Sequence, residues 1–161
     1  MFFSKIPTTI FNAYNNTEDV YSILIYCFKK TVSSALLNKK NINIEGIEKL
    51  NFDKFFCIPG PSYLKEEFGD IKKHEFIVYA HLCRDAYLNN TGKVKVDFNT
   101  IAKETHIKKT LVKTSINTLN RVGLLITDEK DQYFVVEELY YYFTDSEVKE
   151  AIDSLDPFKS L

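Results

Sequence analysis

Between residues 107 and 136 the chain carries the pattern that most tightly constrains its fold. Leu111, Val112, Ile116, Leu119 and Val122, with Ser115 among them, recur at steps of three and four residues. That spacing gathers them along one side of an α-helix. Gly123 follows the last of them, where a helix commonly ends in left-handed backbone. Leu124-Leu125-Ile126-Thr127 and Tyr133-Phe134-Val135-Val136 then read as two strands. The polar stretch Asp128-Glu129-Lys130-Asp131-Gln132 between them predicts a hairpin.

The residues upstream extend the pattern. Phe98, Ile101 and Ala102 predict a short helix ending near Thr105, and Ile107 stands alone before the next helix. Lys93-Val94-Lys95-Val96 alternates like a short strand, and Ile71 to Leu88 carries the broad apolar stripe of a longer helix. The order is helix, strand, helix, short turn, helix, strand, turn, strand. Over residues 60–136 it resembles a winged helix-turn-helix domain, most specifically in the stretch from Ile101 to Leu125. The resemblance implies a mainly α fold with a small β-hairpin wing, an α+β class. Two residues depart from the family pattern. His106 occupies the turn position that usually holds Gly at positive φ, and Lys108 occupies an N-cap that is usually Ser or Thr.

The first half of the chain holds a faint internal repeat. Phe3-Ser4-Lys5-Ile6-Pro7 matches Phe55-Phe56-Cys57-Ile58-Pro59 at an offset of 52, and Ile25-Tyr26 matches Val78-Tyr79 at 53. Two readings stay open: a tandem winged helix with a truncated first copy, or a helical N-terminal extension covering one core. The expected organisation is residues 1–52 as that extension or degenerate copy, 53–143 as the winged helix-turn-helix domain, and 144–161 as an acidic C-terminal helix.

Charge is distributed unevenly although the net is only −1. Lys93, Lys95, Lys103, Lys108, Lys109, Lys113 and Arg121 face only Asp97 and Glu104 between residues 89 and 126, while residues 1–88 are near neutral and residues 127–161 are strongly acidic. Such a block suits a polyanion. On the helix that follows Ile107, the side opposite Val112, Ile116 and Leu119 presents Lys109, Thr110, Lys113, Thr114 and Asn117, with Lys108 at its start. A recognition helix enters the major groove by its N-terminal half, where lysines contact phosphate or guanine and Thr and Asn reach base edges. The expected DNA-binding residues are therefore Lys108, Lys109, Thr110, Lys113, Thr114 and Asn117, extended by Lys93 and Lys95.

Other chemistries find little support. No phosphate loop, dinucleotide fingerprint, nucleophile elbow or paired-His zinc helix occurs in the chain. His74 and His81 lie two turns apart on one helix and Cys83 points away, so no metal site is expected. The expectation is a non-enzyme without cofactor, located in the cytoplasm with reduced cysteines and no membrane association.

The expected function is sequence-specific binding of double-stranded DNA at an operator or replication origin, as a homodimer. The dimer surface would come from the apolar residues of helix 17–37 (Val20, Ile23, Leu24, Cys27, Phe28 and Val32), from the Tyr140–Phe143 strand followed by the stripe of Val148, Ala151, Ile152 and Leu155, or from both. The Phe-x-x-Ile-Pro opening before a winged helix is similar to N-terminal domains of plasmid and phage replication initiators and of DnaD-type primosome proteins. The alternative is a winged-helix adaptor that recruits a replication or partition protein without touching DNA.

Overall fold

Among the described residues the chain forms two short antiparallel strand pairs and six helices. The structure, a computed structural model, describes residues 3–32, 50, 54–59, 61–89, 93–127 and 133–135. In chain order these are β1 (Phe3–Pro7), α1 (Ile10–Ala13), α2 (Thr17–Val32), β2 (Phe55–Pro59), α3 (Pro61–Phe68), α4 (Lys73–Asn89), α5 (Phe98–Thr105), α6 (Lys109–Val122), β3 (Leu125–Thr127) and β4 (Tyr133–Val135). The chain is mainly helical with small antiparallel sheets. The hairpin loop 128–132 and the expected C-terminal helix 144–161 lie outside the described residues.

The two halves of the sequence repeat pair with each other. β1 and β2 run antiparallel and cross at Lys5↔Cys57, a pair that the 52-residue offset also makes equivalent. A local two-fold axis therefore passes between them, and it relates Ile6 to Ile58, both fully buried. The long helices follow the same relation at an offset of 56 rather than 53. Val20, Ile23, Leu24 and Cys27 of α2 then match Phe76, Tyr79, Ala80 and Cys83 of α4, and all eight are buried. The difference has a simple origin: α3 has eight residues where α1 has four, so one helical turn is added ahead of α4. Residues 33–49, where a first recognition helix would fall, lie outside the described residues.

One buried cluster draws on both segments. Ile10, Phe11, Tyr14, Val20, Ile23, Leu24 and Cys27 from the N-terminal part join Leu64, the buried face of α4, and Ile101, Ile107, Val112, Ile116, Leu119, Leu124 and Leu125. This corrects the expectation that Val20, Ile23, Leu24 and Cys27 are spare surface for a dimer. They recur at three- and four-residue steps and are spent on the chain's own core.

Local signals fix the helix ends. Asn16 caps α2 by accepting from the Asp19 N–H at 2.9 Å, and its amide donates to the Asp19 carboxylate at 2.8 Å. Asp97 caps α5, accepting from the Asn99 and Thr100 N–H groups at 3.0 and 3.2 Å. Those bonds, led by the one from the Thr100 backbone, hold the Asp97 carboxyl below its usual range. α6 ends on Gly123 at φ 91°, with the Leu124 N–H returning to the Leu119 carbonyl at 2.9 Å, a Schellman closure. The expected strand at 93–96 is not formed beyond a single bridge residue at Lys93. Its alternation appears instead as burial of Val94 between exposed Lys93 and Lys95. A segment that packs alternate side chains on a helical core needs no ladder to show that pattern.

Candidate nucleic-acid interface

α5 and α6 meet through the turn His106-Ile107-Lys108. Ile101 on α5, Ile107 in the turn and Val112, Ile116 and Leu119 on α6 are buried together, which fixes the helices against α4. His106 adopts φ 60°, left-handed backbone that few side chains enter. Three contacts from the N-terminal segment hold it there. The His106 ring donates from Nε2 to the Tyr14 carbonyl at 2.8 Å. The Thr17 hydroxyl lies 2.9 Å from the His106 carbonyl and 3.2 Å from the Thr105 carbonyl. These two carbonyls are among the groups that a helix C-terminus leaves unpaired. The start of α2 thus clamps the end of α5.

Behind α5 lies a buried charge cluster. Arg84 on α4 donates to Glu104 on α5 at 2.7 Å, and His81 donates from Nε2 to the same carboxylate oxygen at 2.5 Å. Asp85 takes a further bond from Arg84 at 2.9 Å. The Phe11 ring of α1 packs 5.0 Å from both the His81 ring and the Arg84 guanidinium. Burial pushes the His81 imidazole below its usual range, although Asp85 and Glu104 pull the other way. Nδ1 makes no hydrogen bond among the described residues and lies 3.6 Å from an Asp85 carboxylate oxygen. For Glu104, burial works to raise the carboxyl, but the bonds from Arg84 and His81 outweigh it and hold it low. The one carboxylate of α5 is therefore tied to α4, its side chain 29% exposed, and it shares the Arg84 charge with Asp85.

What remains outside is a basic face. Lys108, Lys109, Thr110, Lys113, Thr114 and Asn117 are all exposed. At about 100° per residue, Thr110, Thr114 and Asn117 form a central ridge on α6, with Lys109 and Lys113 along one flank. Lys113 is steadied by the Phe98 ring, with Nζ 5.5 Å from its centroid. Lys108 is the N-cap residue and makes no side-chain capping bond, so the first-turn N–H groups of α6 receive no cap from it. No carboxylate occurs between Thr105 and Gly123.

Comparison with protein-family models, curated proteins and solved structures finds no match to this chain.

The site therefore rests on its own geometry. Six of the eight sequence-derived residues come together on α6 and its N-cap. The other two, Lys93 and Lys95, are exposed on the segment entering α5, and Lys95 lies near enough to Asp97 to help hold that carboxyl down. One residue was misplaced by the periodicity. Leu111 was counted in the apolar stripe but is 41% exposed, on the flank of α6 opposite Lys109 and Lys113. The signal was present: a helix face centred on Val112, Ile116 and Leu119 leaves position 111 at its edge. Among the described residues no cluster of His, Cys, Asp or Glu is placed to hold a metal ion, and no helix is long and apolar enough to cross a membrane.

Proposed function

We propose that this chain binds double-stranded DNA sequence-specifically, with α5 and α6 as a helix-turn-helix unit and β3–β4 as its wing. The carrying observation is the face of α6. Three lysines and a Thr110-Thr114-Asn117 ridge are exposed together, while Glu104 of α5 is held by Arg84 and His81 of α4. Lysines on that face position the helix on phosphates, and the ridge meets base edges in the major groove. The uncapped start of α6 adds a partial positive charge where a phosphate would lie. The role is that of a cytoplasmic transcription regulator, or of a replication protein acting at an origin.

A single helix of this kind reads few base pairs, so the proposal includes a homodimer that presents two copies of α6 to a pseudo-palindromic site. With Val20, Ile23, Leu24 and Cys27 consumed internally, the apolar residues of 140–143 and 148–155 are the other expected surface for joining the copies. Sedimentation at micromolar concentration should give twice 18.7 kDa, and Ile152→Asp should return the mass to that of one chain.

Gel shifts with genomic duplex fragments test the DNA reading. With about four phosphates neutralised per copy, and so about eight per dimer, affinity should fall by roughly 10⁴ between 50 and 200 mM salt. Lys109→Glu should abolish the shift. Binding that ignores both salt and this substitution, or no binding at all, would instead favour an adaptor that grips a protein partner.

A further inference from the structure

We propose that α6 reads A·T base pairs by their thymine 5-methyl groups, with Leu111 and Thr114 as the contacting surface. This inference rests on the duplex-binding reading above and names what that site selects.

The observation is an exposed apolar side chain beside the Thr110-Thr114-Asn117 ridge, on the flank away from Lys109 and Lys113. Leu111 is 41% exposed, one helical turn from Thr114 on the same side of α6. The Thr114 hydroxyl donates its proton to the Leu111 carbonyl at 3.0 Å. Its donor capacity is thus spent on the backbone, leaving a methyl group and acceptor lone pairs to meet a base. In the major groove only thymine presents a methyl group, and its partner adenine presents an N6 amino donor that the Thr114 oxygen can accept. Asn117, the next exposed residue of the ridge, is the side-chain type that pairs with adenine N6 and N7. Arginine, the strongest guanine reader, is absent between Arg84 and Arg121, and Arg121 lies in the last turn of α6. Lys108, Lys109 and Lys113 supply the charge that brings this surface onto a polyanion.

The test uses the full chain and duplexes selected by it from a random pool. Each thymidine of the selected site is replaced in turn by deoxyuridine, which removes one methyl and nothing else. Burial of one methyl group corresponds to about a fourfold change in binding. We expect that loss at one or two positions per half-site. Leu111→Ala should erase the thymine–uracil difference at one of them while leaving the salt dependence unchanged. Thr114→Val, which keeps a methyl, should retain the difference that Thr114→Ser loses. If uracil is tolerated everywhere while Lys109→Glu still abolishes binding, methyl reading is overturned and duplex binding stands. A thymine–uracil difference that survives Leu111→Ala and Thr114→Ser together also overturns it. If no duplex is selected from the pool, both readings fall.

Discussion

The His106 imidazole donates from Nε2 to the backbone carbonyl of Tyr14 at 2.8 Å, across 92 residues of sequence. That bond explains how a turn usually built on glycine accepts histidine. The left-handed backbone at φ 60° costs about 1 kcal/mol for a side chain, and the ring returns a hydrogen bond of about that size. His106→Ala should lose the bond while keeping strain that histidine already carries, destabilising by about 1 kcal/mol. His106→Gly should lose the bond but relieve the strain, and come out near neutral. Urea midpoints of the two variants give the order; equal losses would refute it.

Acid sensitivity should start unusually early. His81 is held below its ordinary range chiefly by burial, so the unfolded chain binds a proton that the folded chain refuses. Stability is therefore complete above the ordinary imidazole value of about 6.5 and declines as pH falls through it. Glu104, held low by Arg84 and His81 against its burial, adds a second decline as pH falls through and below about 4.3. Urea midpoints measured from pH 8 to pH 3 should fall in two stages. His81→Gln should remove the first stage and leave the second.

Gly123 offers a conformational test free of packing. A Cβ built there meets nothing within 4 Å, and only its φ of 91° resists a side chain. Gly123→Ala should therefore cost about 1 kcal/mol and lower the melting temperature by about 3 °C. A much larger drop would mean that the closure after α6 carries more than backbone strain.

Residues 1–52 supply Ile6, Ile10, Phe11, Tyr14, Val20, Ile23, Leu24 and Cys27 to the shared core. Cutting them away should leave a fragment that aggregates or melts without a cooperative transition, as read by light scattering and circular dichroism. Within the full chain, Ile10→Ala should cost about 3 kcal/mol, since that side chain is fully buried. A soluble, cooperatively melting fragment 53–161 would overturn this account.

The α5–α6 pair was legible because periodic burial, Gly123 and the hairpin are local signals. Residues a few positions apart dictated them, and the spacing of Val112, Ile116 and Leu119 carried over directly to burial. Strands at both Ile-Pro segments were legible from their residue pattern, while α2 and α4 start 56 residues apart rather than 53, because α3 is one turn longer than α1. Leu111 was read as core because hydrophobicity alone does not distinguish the centre of a face from its edge. The clamp of Tyr14 and Thr17 on the α5–α6 turn left no trace in sequence. It joins backbone carbonyls to side chains some 90 residues apart, and no periodicity records such a contact.

The crossing of β1 and β2 at Lys5 and Cys57 is the geometry of a two-fold dimer enclosed in one polypeptide. Two separate strands related in this way would part on dilution. Tethered, they face an effective concentration set by the chain between them, which does not change with the amount of protein in solution. The buried pair Ile6 and Ile58 is thus held at any expression level, and with it the clamp on the turn ahead of α6. In the proposed homodimer, only the joining of whole chains, and hence the spacing of two α6 helices, is left for cellular abundance to control.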